Sequence, residues 1–432
     1  MSKLNLIPIG TLFDLEKGSL QSSKCTEGEY TFITAAQEWK THNEYSHECE
    51  ALIFAAAASG SLGRTHYIND KFITSDLCFI LTPKDSKKYP INLKFYHFVF
   101  NSLKDEIVKN TKSGTSKESI NQSNLRNYEI PYFEIDKQNL WIDKLVNTKS
   151  IKQDLEFELS SGQSLLKQLK QTILQEAIEG KLTAKYRVKN PDIGTAKELL
   201  EQIKTEKEKL VKDKKIKPSK PLPPINEDEI PFNIPENWEW CRLGDISFVG
   251  TGATPLTSEP KYYNGDINWI TSSATGADFV TEAETKITEL ALKETNCQIY
   301  PIGTLVIAMY GQGKTRGQIT ELMIDSATNQ ACAAISIYLK DKALNQFIKK
   351  YFQKIYLEIR ELASGGAQPN LNMQKVKDTM IALPPIEEQK EIVATIEKLF
   401  TLCNKLESEI NQNNVTVDNL MATVLKEAFE QQ

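Results

Sequence analysis

The chain repeats itself at an offset of 251 residues. Ser113 and Gly114, followed by Ile120 and Asn121, return as Ser364, Gly365, Leu371 and Asn372. Ile135, Asp136 and Gln138 return as Ile386, Glu387 and Gln389, and Leu155 and Glu156 return as Leu406 and Glu407. Residues 169–179 (LKQTILQEAIE) align with 420–430 (LMATVLKEAFE) without a gap. Solenoids repeat roughly every 20–50 residues. A 251-residue period that fits fewer than twice into 432 residues instead describes two copies of one module. Each copy is a globular part followed by a long helix. Such a chain has pseudo-twofold symmetry and suits a target with two separated halves.

Composition narrows the class. The hydrophobic share of 40% and charged share of 25% are ordinary for a soluble globular protein with room for several cores. A net charge of −5 argues against a uniformly basic nucleic-acid binder. It leaves local DNA-binding patches open, because phosphate contact is a surface property and not a whole-chain sum. No apolar run reaches the roughly 18 residues of a membrane span, and the N-terminus lacks the basic-then-apolar layout of a signal peptide. A cytoplasmic location is expected. The cysteines at 25, 49, 78, 241, 297, 332 and 403 are scattered and never spaced as CxxC, so neither a disulfide framework nor a zinc site is indicated. His42, His47 and Cys49 cluster in sequence but read as surface residues, and no metal is expected.

Five segments follow from the pattern: a first module at 1–136, a helical spacer at 137–215, a proline-rich linker at 216–235, a second module at 236–386 and a second helical spacer at 387–432. Short β-rich runs at 30–34, 51–55 and 77–81 predict strands in the first module, and 93–110 predicts a helix. Runs at 266–271, 304–309 and 332–338 predict strands in the second. Steps of 4 and 3 from Trp141 give Leu145, Thr148, Lys152, Leu155, Leu159, Gly162, Leu166, Leu169 and Ile173. The same steps from Ile392 give Ile396, Leu399, Cys403, Leu406, Ile410, Asn413, Val417, Leu420 and Val424. This apolar seam is the signature of a coiled coil, about 48 Å long at about 1.5 Å per residue. Residues 197–220 are lysine-rich and read as a solvated helix face or linker. Pro221, Pro223 and Pro224 then force an extended connection.

The sharpest catalytic candidate is the run AMYGQGKT at 308–315, a near miss to the phosphate-cradling P-loop. Ala308 stands where the first loop glycine belongs, and the residues after Thr315 do not open a helix whose N-terminus could hold phosphate. A second reading suits it better. Gly311, Gly313 and Gly317 let the loop approach a surface closely, while Gln312, Lys314, Thr315, Arg316 and Gln318 offer donors to phosphates and base edges. The first module has a counterpart in Ser59, Gly60, Ser61, Leu62, Gly63 and Arg64. A second loop pair comprises Lys112, Ser113, Thr115 and Lys117 in one copy and Gln368 and Asn370 in the other. Asp278, Glu284 and Lys286 make only a forced match to an acid–x–Lys nuclease pattern. Methyltransferase Asn-Pro-Pro-Tyr and GxGxxG motifs are missing, so the chain reads as catalytically empty.

The run LPPIEEQKEIV at 383–393 resembles the specificity subunits of type I restriction–modification enzymes. Supporting matches are QEAIEGKLT at 175–183, IPENW at 234–238, LGDI at 243–246, GTLV at 303–306 and SGGAQPNL at 364–371. The first module departs from the pattern, with IPYFEI at 130–135 in place of LPPIEEQ. The resemblance implies two α/β (α+β) target-recognition domains separated by long helices that pair as an antiparallel coiled coil. Each domain would read one half of a bipartite DNA site, and the helices would act as spacer. Two adenine-N6 methyltransferase subunits carrying S-adenosylmethionine would dock on the helices through residues such as Leu159, Leu166, Ile173, Leu406, Val417 and Leu420. Restriction subunits, ATP-dependent translocase–endonucleases using ATP and Mg, would complete the complex, and this chain would hold no cofactor itself. A rod of this length can address half-sites about one helical turn apart. On such DNA, Arg64 or Arg316 would contact guanine, Gln312, Gln318 or Gln368 would read adenine, and Lys112, Lys117 and Lys314 would serve phosphates. The competing reading is a protein-binding scaffold with a coiled-coil axis. A nucleotide hydrolase using the Gly-Lys-Thr loop trails both.

Overall fold

The computed structural model describes residues 5–57, 60–113, 118–218, 220–311, 314–364 and 371–430. It divides into two compact units, Met1–Gly162 with Glu409–Gln432, and Gln163–Ser408. The divisions fall inside long helices, so each unit holds one globular head together with stretches of both helices.

In the first unit β1 (Leu6–Pro8) and the short α1 (Ile9–Leu12) lead into a sheet of β2 (Phe13–Lys17), β3 (Tyr30–Ile33), β4 (Lys40–His42), β5 (His47–Ala55), β6 (Thr65–Thr74) and β7 (Cys78–Pro83). There follow α2 (Leu93–Ser102), α3 (Lys104–Thr111), the two-residue strands β8 (Lys112–Ser113) and β9 (Ser119–Ile120), and α4 (Gln122–Asn127). β10 (Glu129–Pro131) returns to pair antiparallel with β1, and α5 (Ile135–Ile178) begins. The apolar run in β5 has a simple cause. Leu52 and Phe54 face a core that includes Phe13, Phe95, Tyr96 and Phe100, while Ala51, Ile53 and Ala55 face a second cluster with Ile33, Phe72 and Ile80. A strand buried on both faces reads as continuous apolar sequence, not as alternation.

The second unit contains α6 (Ala184–Lys189), α7 (Ala196–Lys212), β11 (Glu239–Arg242), α8 (Leu243–Ile246), β12 (Ser247–Thr251), β13 (Tyr263–Ile270), β14 (Phe279–Val280), β15 (Thr285–Ile287) and α9 (Glu289–Glu294). It continues with β16 (Ile299–Tyr300), β17 (Leu305–Ala308), β18 (Ile319–Leu322), β19 (Ser326–Thr328), β20 (Cys332–Ile337), α10 (Lys342–Ser364), α11 (Met373–Asp378) and β21 (Met380–Leu383). Last come α12 (Ile386–Asp418), which reaches into the first unit's share of the chain, and α13 (Leu420–Glu430).

The two heads share one sheet topology. The order is β2-β7-β5-β6-β3 in the first and β12-β20-β17-β18-β14 in the second. In both, the first three neighbouring pairs are antiparallel and the last is parallel. The β1–β10 pair has its counterpart in β11–β21. The heads differ at the edge. The first adds β4 beside β3, whereas the second carries a separate sheet in the order β15-β13-β19-β16.

Residues that repeat in sequence perform the same structural task twice. Asn121 caps α4 by accepting from the Ser123 N–H, and Asn372 caps α11 by accepting from the Lys375 N–H. Gln138 and Gln389 are both buried at the start of a long helix. Each Nε2 donates to the carbonyl five residues back, to Phe133 at 2.6 Å and to Pro384 at 2.7 Å. That carbonyl lies where a strand ends and a helix begins, so the glutamine satisfies a group that neither ladder reaches.

Several expectations need correction. The helix expected at 93–110 is two helices, α2 and α3, that meet at Leu103. The second spacer is not one helix but breaks at Asn419 between α12 and α13. The proline-rich linker is laid against its head, because Arg242 donates from Nε to the Pro223 carbonyl at 3.1 Å and pairs through Nη2 with Glu229 at 2.7 Å. The lysine-rich stretch, by contrast, is a helix face as expected over most of its length: it is α7, opened by a Thr195–Glu198 capping box. The heptad steps also misplace three leucines. Leu155, Leu169 and Leu406 are 40%, 46% and 48% exposed, although Trp141, Leu145, Leu166, Ile173, Val417 and Cys403 are buried as the seam requires. A straight helix drifts by about 20° per heptad against a fixed seven-residue repeat, so a fixed step walks off the contact face.

Within each unit the long-helix segments run in opposite directions. In the first unit the Lys152 ammonium donates to the Asp418 carbonyl at 3.4 Å, and Gly162 lies against Ile410. In the second, Lys170 pairs with Glu407 at 2.7 Å. Among the described residues no helix is long and apolar enough to cross a membrane.

Candidate nucleic-acid interface

Each head carries one glycine-gated hairpin at the same point of the shared sheet, between β5 and β6 in the first and between β17 and β18 in the second. The closing hydrogen bonds are the same. In the first, Gly63 N–H donates to the Ala55 carbonyl and Ala55 N–H to the Arg64 carbonyl, both at 2.8 Å. In the second, Gly317 N–H donates to the Ala308 carbonyl at 2.8 Å and Ala308 N–H to the Gln318 carbonyl at 2.9 Å. The closing glycine has a φ of +78° at Gly63 and +83° at Gly317, which L side chains rarely adopt. At Gly63 a Cβ would also meet Val108 Cγ2 at 2.6 Å.

This closure sets which residues correspond. Arg64 occupies the place of Gln318, since each directly follows the closing glycine, whereas Arg316 precedes it. The arginine is held. Its Nη1 donates to the Ala35 carbonyl at 3.1 Å and to Ser61 Oγ at 3.2 Å. Beside it His66 accepts from Trp39 Nε1 at 3.4 Å, and burial, joined by the Arg64 charge, holds the imidazole below its ordinary pKa. In the second head Lys314 is exposed, and its carbonyl accepts from the Tyr356 hydroxyl at 3.1 Å. Thr315, Arg316 and Gln318 are half-buried. The chain after Arg316 enters the strand β18 and not a helix, which removes the helix N-terminus a P-loop needs.

The other loop pair is only partly described. Lys112 Nζ pairs with Glu118 at 2.8 Å, and Ser113 Oγ donates to the Ser119 carbonyl at 3.4 Å, so both close the β8–β9 pair. Thr115, Lys117, Gln312, Gln368 and Asn370 lie outside the described residues. On the helices, Leu166, Ile173 and Val417 are buried, Leu159 and Leu420 are half-buried, and Leu406 is exposed. His42 Nδ1 is engaged by Thr26 and His47 Nε2 by Glu16, and no group of three metal-ligating side chains occurs among the described residues. Asp278 is held by α10. Its carboxylate accepts from Gln353 Nε2 at 3.2 Å, and its carbonyl accepts from the buried Lys349. Lys349 also lies 3.7 Å from the centre of the Phe279 ring, and burial lowers its pKa.

One cluster was missed by sequence reasoning. Glu388 is fully buried, and its carboxylate is the meeting point of three separate segments. Thr183 Oγ1 donates to Oε1 at 2.7 Å, and Arg187 Nη1 pairs with the same oxygen. Trp238 Nε1 donates to Oε2 at 2.8 Å, joined by Asn237 Nδ2 at 3.5 Å. Nearby, Gly180 has a φ of +71°, and a Cβ there would meet Pro235 Cγ at 2.6 Å. The segments concerned are QEAIEGKLT, IPENW and LPPIEEQ. Motifs more than 200 residues apart in sequence therefore form one buried charge-assisted network. Sequence order gave no signal for it, because the carboxylate and its donors come from segments far apart in the chain.

Comparison with known proteins decides the family. The model for the type I restriction modification DNA specificity domain matches residues 1–160 and 235–413. The chain belongs to that family. It is 29% identical over 259 residues to the type I restriction enzyme EcoEI specificity subunit of Escherichia coli, which covers 57% of this chain and 42% of that one. It therefore spans less than half the length of that relative. Over 98% of this chain it is 22% identical to the EcoDI specificity subunit of Escherichia coli, covering 87% of the relative. In fold it is similar to the HsdS subunit from Thermoanaerobacter tengcongensis, with a TM-score of 0.57, 14% identity, and 99% and 97% of the two chains covered. A chain in a solved type I R-M system gives a TM-score of 0.68 at 14% identity, with 99% of each chain covered.

Proposed function

We propose that the chain is the non-catalytic DNA sequence-specificity subunit of a type I restriction–modification complex. Each head reads one half of a bipartite site, and the antiparallel helices form a pseudo-twofold coiled-coil spacer that fixes the gap. The observation that carries this reading is the shared five-strand order, with one glycine-gated hairpin at the same point of each head. A duplicated reader suits two half-sites. Two adenine-N6 methyltransferase subunits holding S-adenosylmethionine supply the chemistry, and restriction subunits using ATP and Mg join them.

The docking surface follows from what the helices leave uncovered. In the second unit Leu169 and Leu406 flank the Lys170–Glu407 ion pair, and Leu165 and Leu402 lie one turn away on the same two helices. They are 62% (Leu165), 46% (Leu169), 54% (Leu402) and 48% (Leu406) exposed. Clustered exposed leucines with a charged rim mark a protein-binding face. The double variant Leu402→Asp, Leu406→Asp is expected to weaken methyltransferase capture roughly 30-fold or more. Its own unfolding midpoint should hardly move, because both side chains are exposed. Pull-down of the methyltransferase at graded concentrations reads the effect, and unaltered capture contradicts this docking face.

A further inference from the structure

The hairpin closures pair Arg64 with Gln318, and the two side chains differ in how they are engaged. Arg64 is anchored through Nη1 alone. Among the described residues its Nε and Nη2 make no hydrogen bond, so one edge of the guanidinium is left open in a fixed orientation. Gln318 is half-buried at the loop's end, and its carboxamide makes no hydrogen bond among the described residues. Its Oε1 lies near Gly276, where a Cβ would stand 3.8 Å away in ordinary contact.

We propose that Arg64 and Gln318 are the paired specificity determinants of the two heads, Arg64 reading a guanine and Gln318 an adenine. This rests on the function proposed above. The guanidinium edge carries two parallel donors, which match the O6 and N7 acceptors of guanine in the major groove. The carboxamide carries one donor and one acceptor, which match N7 and the N6 amino group of adenine. A phosphate would leave the Gln318 oxygen without a donor, because phosphate oxygens only accept. Holding Arg64 in place beforehand removes part of the ordering cost of binding. Lys314, exposed in the same hairpin as Gln318, supplies the sequence-independent phosphate contact.

The test is methylated-adenine mapping in cells that carry the cognate methyltransferase with the wild-type chain, Gln318→Arg, Gln318→Ala, Arg64→Gln or Arg64→Lys. Gln318→Arg is expected to convert one A·T position of one half-site to G·C, leaving the other half-site and the gap unchanged. Gln318→Ala makes that position degenerate, with discrimination falling roughly 5- to 150-fold. Arg64→Gln alters the other half-site. Arg64→Lys keeps the charge but loses discrimination at the same position, which a phosphate contact would not. If Gln318→Arg supports no methylation, Gln318→Ala decides for that head. A Gln318→Ala chain that reads every position of the wild-type motif undiminished overturns the assignment of Gln318, and an Arg64→Lys chain that does so overturns that of Arg64. A wild-type chain that yields no bipartite motif overturns the proposed function instead.

Discussion

Glu388→Ala is expected to destabilise the second unit by about 3 kcal/mol. The carboxylate is fully buried and accepts from Thr183, Arg187, Trp238 and Asn237 at once. Truncation leaves the indole N–H and the hydroxyl without acceptors and removes the counter-charge of a guanidinium whose side chain is only 20% exposed. Buried donors that lose every partner bear the full desolvation cost, which is larger than the net value of the bonds themselves. For a unit of this size the unfolding midpoint should fall by roughly 6–12 °C. Trp238 fluorescence reports the transition directly, since the indole is 3% exposed and bonded to the mutated group. Glu388→Gln keeps one acceptor oxygen, enough for Trp238 or for Thr183 but not for both, and loses the charge facing Arg187, so its midpoint should lie between the two. A Glu388→Ala midpoint equal to wild type would show that the network adds nothing to stability.

Phe100→Ala should be comparably severe in the first unit, at about 3–5 kcal/mol. The ring is fully buried where α2 crosses the sheet, edge-on to Phe13 at 5.7 Å and to Phe54 at 6.1 Å between centroids. Removing it deletes a large apolar surface and opens a cavity that Phe13, Phe54 and Tyr96 can fill only in part. Their backbones are fixed by β2, β5 and α2, so collapse is limited. Phe100→Leu retains most of the volume and should recover more than half of the loss. Denaturant unfolding monitored by hydrogen exchange of β5 amides checks this, and unaltered protection in Phe100→Ala would contradict the packing described.

Much of the architecture was legible because duplication printed it twice. The pairs Asn121 and Asn372, and Gln138 and Gln389, stood out at a fixed offset, and each pair proves to do the same job in the same place, the asparagines as caps and the glutamines as donors to the carbonyl before the long helix. The buried run at β5 was legible as a strand because both of its faces are covered. What escaped was anything that depends on register in three dimensions. Both loops carry an arginine near their end, but Arg64 follows its glycine and Arg316 precedes one. The backbone closure gives Arg64 and Gln318 equivalent places, each directly after the closing glycine, although the second loop holds one residue more between the closing carbonyl and that glycine. Glu388 was read as part of a motif but not as its hub, because its donors come from segments that sequence order keeps apart. The exposed leucines at 155, 169 and 406 were assigned to the seam by a fixed heptad step that a straight helix does not keep.

The measurement that reaches the central claim most directly is a genome-wide map of methylated adenine in cells carrying this chain with its cognate methyltransferase, set against cells lacking only this chain. A reader with two heads on one spacer predicts a bipartite motif with a fixed gap, present in the first cells and lost in the second. Methylation that persists unchanged without the chain, while the methyltransferase remains active, would contradict a specificity role and favour a protein-binding scaffold.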